Sequence, residues 1–236
     1  MNPSGFPVIP ESITVHLGAP ATNAPHVTVP FADYIANVAS SEIYPTWPES
    51  AIRANVYAQI SYALNRVYTE YYRSRGYDFD ITNSTTVDQS FVNGRDIFEN
   101  VQQIVNDIFN DYIRRRGFVE PLFAQYCNGT TVTCNGLSQW GSVDLANAGY
   151  TPYRILQNYY GNNIDIIQNA PIAGVTPSAP AVPLLWTAQG ARCASSRSAS
   201  TASPTTTPAS PRSPTPTAFS ALRPTRRCGP SSAPST

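Results

Sequence analysis

The sequence predicts an α+β fold: a single compact domain of mixed short strands and three to four helices over residues 1–172, followed by a disordered tail over residues 173–236. Segments in which polar and apolar residues alternate, as in strands, lie between segments whose apolar residues recur every three or four positions, as in helices. The two kinds of segment do not alternate regularly, which argues against a doubly wound parallel sheet. The composition also changes sharply near residue 172.

The first half of the domain is predicted to contain two strands, a long helix and a third strand. Ser12–His16 and His26–Phe31 alternate polar and apolar residues and predict short strands. After a loop interrupted by prolines, Thr46 is the expected cap of a helix, with Glu49 at the capping-box position. Apolar residues then recur at helical spacing, and Tyr77–Thr82 alternates again.

The second half is predicted to contain three more helices and two strands. A second helix is expected to open at Gly94, and Leu122–Tyr126 is a predicted strand. Ser138–Ala148 predicts a short helix, and Thr151 followed by proline predicts the start of another. Asn163–Ile167 is the expected closing strand.

Charge is distributed unevenly along the chain. Residues 1–165 hold nine arginines and all 15 acidic residues, a formal charge of −6, whereas six arginines follow with no acidic residue. No clustered basic face is evident in the domain, so nucleic acid is not an expected partner. No stretch is long and apolar enough to span a membrane, and the N-terminus shows no signal peptide, so the sequence leaves localisation open.

Three blocks of sequence resemble one protein family. They are YIANVASSEIYPTWPESAIRANVYAQISYAL (Tyr34–Leu64), YDFDITNSTTVDQSF (Tyr77–Phe91) and GLSQWGSVDLANAGYTPYRILQNYYG (Gly136–Gly161). They are similar, in the same order, to three blocks of the stage II sporulation protein D family. The first family block is an acidic residue followed by a helix of the type ALKAQAVAARTYAL. The second is a strand followed by a loop, and the third runs from a GMSQ-x-GA motif to an IL-x-x-YYPG ending. That family includes the amidase enhancer LytB. The resemblance spans roughly residues 13–168.

The resemblance implies an activity on bacterial cell wall. Known members cleave peptidoglycan glycan strands as lytic transglycosylases, in sporulation or cell-wall remodelling. The alternative is a non-catalytic peptidoglycan-binding or amidase-enhancing module of the same fold. The implied partners are peptidoglycan glycan strands and a cell-wall amidase, and the implied location is the cell wall or spore envelope. We expect no cofactor.

The sequence departs from the family pattern at two places. Ile60 stands where the family helix usually has arginine. The histidine that often precedes the GMSQ motif is absent, and the nearby residues are Thr133, Cys134 and Asn135. Some family members bind zinc near this loop through Cys and His. Because that histidine is absent here, we expect no metal site.

Glu42 is the predicted catalytic acid. By resemblance it occupies the position of the essential acid of the family. It lies among Ser41, Ile43 and Tyr44, and a carboxyl packed against apolar and aromatic groups has a raised pKa. Such a group can protonate the leaving oxygen of a glycosidic bond. The alternative from the residues alone is a solvated loop carboxylate.

Five further residues are candidates for substrate binding. Asp88 and Gln89 follow the third predicted strand. Two roles are open for them: binding glycan hydroxyls, or capping the local turn. Ser138, Gln139 and Trp140 belong to the third block of the resemblance. A tryptophan edge suits stacking on a sugar, although a tryptophan next to glycine is as often part of the core.

Cys127 and Cys134 enclose the segment NGTTVT. Three alternatives are open for this pair: a disulfide that closes a hairpin, two ligands of a metal site, or two unpaired thiols. The disulfide is the favoured alternative.

The tail over residues 173–236 is rich in Pro, Ser, Thr and Ala and has few large apolar side chains. Such a segment cannot bury enough surface to offset its ordering entropy, so we predict disorder. Back-translated and shifted by one base, its codons permit a sequence similar to the three-helix peptidoglycan-binding domain. We therefore hypothesise that the tail is a frame-shifted peptidoglycan-binding domain.

Overall fold

The computed structural model describes residues 6–174, and this part of the chain is α+β as predicted. Within it, five α-helices pack with seven short strands. The strands are β1 (Ser12–His16), β2 (His26–Pro30), β3 (Ile81–Thr82), β4 (Tyr112–Arg115), β5 (Tyr126–Cys127), β6 (Leu137–Ser138) and β7 (Ile164–Ile167). The helices are α1 (Phe31–Glu42), α2 (Glu49–Tyr68), α3 (Glu99–Ile108), α4 (Gln139–Asn147) and α5 (Pro152–Tyr160).

Helix α2 is the centre of the domain. It packs against α1, α3, α4, α5 and β4, so it is buried on nearly every side. Several polar side chains of this enclosed helix bond to neighbouring elements. The amide nitrogen of Asn55 donates to Ser142, and Ser61 accepts the backbone N–H of Ile113. Within residues 6–174, the buried side-chain oxygens of Asn55 and Gln59 have no hydrogen-bond partner.

Three small sheets surround this helix. In the first, β1 lies between β2 and β3, antiparallel to β2 and parallel to β3. In the second, β4 pairs antiparallel with β7, and in the third β5 pairs parallel with β6. Ile9 and Ile172 form a further parallel bridge, so the two ends of the described domain lie side by side.

Several predicted elements are confirmed. Strands β1, β2 and β7 occur within one residue of their expected bounds. Helix α4 follows Ser138, and Thr151 caps α5 by accepting the backbone N–H of Arg154. Here the local signals and the tertiary structure agree.

The start of α2 was predicted incorrectly. The helix begins at Glu49, and Pro48 occupies the N-cap with no side-chain hydrogen bond, so Thr46 does not cap it. The helix expected at Gly94 begins only at Glu99. The predicted strand Tyr77–Thr82 is reduced to the two residues of β3, and the predicted strand Leu122–Tyr126 shares only Tyr126 with β5.

Helix α1 was not predicted, because Phe31 was assigned to the preceding strand and the following residues to a loop. Its buried positions include Phe31, Tyr34, Ile35 and Val38, the spacing of one helical face. The helix follows β2 directly, with Pro30 as the N-cap and no intervening turn. The missing turn signal concealed it.

The tail predictions cover residues 173–236. From position 175 onward these residues lie outside the described part of the chain. The disorder of residues 173–236 and the frame-shift hypothesis therefore stay predictions. Within residues 6–174, no helix has the length and apolar character needed to cross a membrane.

Candidate active site

Glu42 is the last residue of α1. The buried face of this helix fixes its position, and Ile43 then continues in extended conformation into the core. The chain turns away from Glu42 toward α2. The side chain is thus held at the junction of two core helices rather than in a solvated loop.

Hydrogen-bond donors from several segments converge on the Glu42 carboxyl. Gln59 Nε2 on α2 lies 2.9 Å from Oε2, and the backbone N–H of Ser90 lies 2.8 Å from Oε1. The hydroxyl of Tyr126 on β5 also donates to the carboxyl. Gln139 Nε2 on α4 approaches Oε2 at 3.5 Å, a weak contact. The site therefore depends on the assembled fold.

Burial raises the pKa of the Glu42 carboxyl above its usual value, and the hydrogen bonds from Ser90, Tyr126 and Gln59 only partly oppose this effect. No ion pair to Glu42 occurs within residues 6–174. The direction of the pKa shift agrees with that expected for a carboxyl packed among apolar and aromatic groups. A carboxyl in this environment retains a proton more readily than a solvated one.

Gln89 is buried and orients the groups around Glu42. Its Oε1 accepts from the hydroxyl of Tyr34 at 3.1 Å, and its Nε2 donates to the carbonyl of Gln59 and to the hydroxyl oxygen of Tyr126, both at 3.1 Å. Because Tyr126 accepts from Gln89, its own proton is left to point at Glu42. Gln89 thus acts on the carboxyl through Tyr126.

Asp88 has no exposed side-chain surface. Its carboxylate pairs with Arg66 at 2.9 Å and accepts from the hydroxyls of Tyr62, Tyr72 and Thr82 and from the backbone N–H of Thr82. These contacts occupy both oxygens and fix the segment that leads to Ser90. The geometry favours the second of the two roles considered for Asp88, that of holding the local turn.

Ser138, Gln139 and Trp140 lie together at the start of α4 but face different surroundings. Ser138 Oγ caps the helix by accepting the N–H of Gly141 at 2.9 Å. A side chain at Gly141 would collide with the hydroxyl of Tyr159 and with Ser138, which explains the glycine. Gln139 is buried toward Glu42, whereas 42% of Trp140 is exposed.

Trp140 belongs to a cluster of three aromatic side chains, Tyr44, Trp47 and Trp140, which we call the aromatic platform. The ring centroids of Trp47 and Trp140 are 5.0 Å apart, and Tyr44 lies 5.7 Å from Trp47 and 5.9 Å from Trp140. Tyr44 is 57% exposed. The platform adjoins the acid through the chain, since Tyr44 follows Glu42 by two residues and Trp140 follows Gln139.

Sequence reasoning missed the platform as a binding surface, although it selected Trp140. Tyr44 was considered only as a flank of Glu42, and Trp47 only as part of a helix start. The turn YPTWP, with two aromatics among two prolines, was the available signal. In the structure Trp47 is partly buried against the core, whereas Tyr44 is exposed, and a turn that exposes a large ring is typical of a contact surface.

Cys127 and Cys134 form a disulfide in the structure, with their Cα atoms 6.0 Å apart. The bond closes a loop in which the side-chain carbonyl of Asn128 accepts three successive backbone N–H groups. The backbone carbonyl of Asn128 also accepts the N–H of Trp140. The loop therefore connects Tyr126, which donates to Glu42, with the aromatic platform.

A zinc site at this loop, which the resemblance raised as a possibility, does not fit the residues present. The two cysteines of the loop are joined to each other, so neither offers a thiolate. His16 Nε2 is engaged by the carbonyl of Ala19 in a different part of the fold. Within residues 6–174, no group of three or more His, Cys, Asp or Glu side chains is arranged to hold a metal.

Comparison with protein families confirms the resemblance over part of the chain. Residues 23–109 match the SpoIID family model, described as stage II sporulation protein. The matched range contains Glu42, Gln59, Asp88 and Gln89. The match indicates a sporulation-related or cell-wall-related role. No curated protein matches the chain.

Replacing Asp88 with alanine should destabilise the fold by about 3–5 kcal/mol, because it leaves the buried Arg66 without its carboxylate. The free energy of unfolding in urea measures the effect. Asp96→Ala, at an exposed acid, is the control and should change it by less than about 0.5 kcal/mol. Equal effects of the two substitutions would contradict a structural role for Asp88.

The raised pKa of Glu42 should appear in the pH dependence of stability. Because the folded protein holds this proton more tightly than the unfolded protein, protonation of Glu42 stabilises the fold. The stabilisation is complete below the unfolded pKa and is lost as the pH rises through the folded pKa. Wild type should therefore gain stability relative to Glu42→Gln as the pH falls. Parallel curves of unfolding free energy against pH would show that the pKa is not raised.

Loss of the disulfide should destabilise the protein by about 2–3 kcal/mol, since the unfolded chain is no longer constrained by the closed loop. We expect this from unfolding curves of wild type with and without a thiol reductant. The Cys127→Ser/Cys134→Ser double variant is the control, because it retains Cys193 and Cys228. If the reductant shifts its curve as far as that of wild type, the effect does not come from this bond.

Proposed function

We propose, on the premise that residues 23–109 form a SpoIID domain, that the protein cleaves peptidoglycan glycan strands as a lytic transglycosylase with Glu42 as its acid. One observation carries the proposal. A carboxyl with a raised pKa, without an ion-pair partner within residues 6–174, accepts hydrogen bonds from several donors and lies two residues before Tyr44 of the aromatic platform.

In the proposed reaction, Glu42 protonates the glycosidic oxygen as the bond from that oxygen to the anomeric carbon breaks. The 6-hydroxyl of the same sugar attacks the anomeric carbon, and a new carbon–oxygen bond closes an anhydro ring. The proton of that hydroxyl returns to the Glu42 carboxylate. The step consumes no water and regenerates the acid.

A single carboxyl is sufficient for this route, whereas hydrolysis usually uses two. Asp88, which precedes Gln89, is the candidate for a second catalytic carboxyl. Its carboxylate is already paired with Arg66 and accepts hydrogen bonds from four further donors. It is therefore a poor second catalytic carboxyl. This arrangement favours internal attack over hydrolysis.

The hydrogen-bond donors around Glu42 also stabilise the carboxylate that forms when Glu42 gives up its proton. Gln59, Ser90 and Tyr126 already point at the carboxyl oxygens, so they stabilise the charge that forms without reorganising. Gln59 is an amide at the helix position before Ile60. It supports the acid from α2, while Ile60 itself is fully buried in the core.

The aromatic platform is the proposed contact for the sugar rings on either side of the cleaved bond. Aromatic side chains offer large rigid apolar faces together with polar edges. Tyr44 and Trp140 expose much of their surface, and each is close to the acid along the chain or through a neighbour: Tyr44 follows Glu42 by two residues, and Gln139, which precedes Trp140, lies 3.5 Å from the carboxyl. The bound strand would then pass Glu42 along these rings.

The second candidate is a peptidoglycan-binding or amidase-enhancing module without catalysis. Ile60 favours it, because a buried apolar residue replaces the arginine usual in the family. This alternative predicts binding to cell wall through the platform but no anhydro product.

Glu42→Gln should lower the rate of anhydro-sugar release from peptide-free glycan by roughly 10²–10⁴-fold, as expected on removing a general acid. Mass spectrometry of the products measures it. Glu99→Gln, the same change at an exposed position of α3, is the matched control and should retain the wild-type rate.

Two results would separate the candidates. Wild-type rates in Glu42→Gln would remove Glu42 from the mechanism. Binding of the wild-type protein to peptidoglycan with no anhydro product would favour the non-catalytic module.

A further inference from the structure

A concave surface lies between α2 and α3, and Trp47 of the aromatic platform is part of its lining. It is a cavity of about 230 Å³. It is smaller than the roughly 300–1,000 Å³ of pockets that take drug-sized ligands, so it suits a single small unit. Both helices and the turn before α2 contribute to its lining, which consists of Trp47, Glu49, Ile52, Arg53, Asn100, Gln103, Ile104 and Asp107.

The cavity shares a wall with the platform. Trp47 lines the cavity and also contacts Trp140 at 5.0 Å between ring centroids. Asn100 on α3 donates to the carbonyl of Pro45 at 2.7 Å and thereby ties α3 to the turn that carries Trp47. Trp47 follows Glu42 by five positions, so their Cα atoms are at most about 18 Å apart. A strand that binds at the acid can therefore reach the cavity.

The charges in the cavity favour an uncharged ligand. Arg53 bonds to Glu49 at 2.6 Å and to Asp107 at 2.8 Å, so two carboxylates surround one guanidinium. The group carries a net charge of −1 and offers no unneutralised cation to a carboxylate or phosphate. The remaining polar lining includes the amides of Asn100 and Gln103, which donate and accept hydrogen bonds as sugar hydroxyl and acetamido groups require.

We infer that this cavity is a distal subsite that binds one uncharged sugar ring of the glycan strand whose cleavage is proposed at Glu42. The inference rests on the proposed function for its substrate class. Trp47 stacks on the ring, the amides of α3 bond to its polar substituents, and the paired Arg53 holds the floor in place. The acidic balance disfavours stem peptides, whose carboxylates it repels.

The test measures binding rather than cleavage. In the full chain carrying Glu42→Gln, we would titrate peptide-free N-acetylglucosamine oligomers, a disaccharide and a hexasaccharide, by calorimetry. Adding Gln103→Trp, which fills the cavity from an exposed position, should weaken hexasaccharide binding about tenfold, or about 1.4 kcal/mol. The preference for the hexasaccharide over the disaccharide should fall by the same factor.

Asn106→Trp on the same helix is the matched control, because Asn106 is exposed and does not line the cavity. It should leave hexasaccharide binding unchanged. Gln103→Ala is a milder second variant, expected to weaken binding in the same direction without adding bulk.

Equal affinities of the Gln103→Trp and Asn106→Trp proteins would overturn the subsite, as would a failure of Glu42→Gln to bind any oligomer. Tighter binding of peptide-bearing glycan, lost in Gln103→Trp, would assign the cavity to the stem peptide and also overturn it. The proposed function is judged separately, by anhydro-sugar release from wild type. Either can fail while the other stands.

Discussion

The arrangement of the site follows from the burial of one carboxyl that has no ion-pair partner within residues 6–174. Taking a carboxyl out of water costs free energy unless hydrogen bonds replace those of the solvent. Glu42 obtains them from Gln59 on α2, Ser90 after β3, and Tyr126 on β5. Each donor belongs to a different segment, so the packing of α1, α2 and the β5–β6 pair must be correct together before the carboxyl is satisfied.

The carboxyls of Asp88 and Glu42 lie in opposite electrostatic environments. Asp88 has a guanidinium and four other donors and is enclosed completely, whereas Glu42 has neutral donors and a raised pKa. A fully paired carboxylate is suited to holding structure, and a carboxyl that still takes up a proton is suited to transferring one. Asp88 and Glu42 meet through the short segment that ends at Ser90, so the first stabilises the position of a donor to the second.

The sequence predicted those parts of the site that local patterns or the family resemblance encode. Glu42, Gln139 and Trp140 were selected from motif blocks; the structure places the Gln139 amide 3.5 Å from the Glu42 carboxyl, and Trp140 is the next residue of α4. The cluster of Trp47 with Trp140 was missed because residues distant in sequence create it, and no local period records such a contact. Helix α1 was missed for a different reason. It follows β2 with no turn residue between them, and Phe31 fits both the alternating pattern of the strand and the helical spacing of α1.

The pairing of Ile9 with Ile172 has an architectural consequence. The N–H of Ile9 donates to the carbonyl of Pro171, and the N–H of Ala173 donates to the carbonyl of Ile9. Chain entry and chain exit therefore occur at one point of the surface. A module with this geometry can be inserted into a loop of another protein without forcing the host segments apart, and a circular permutant that joins the two ends needs only a short linker.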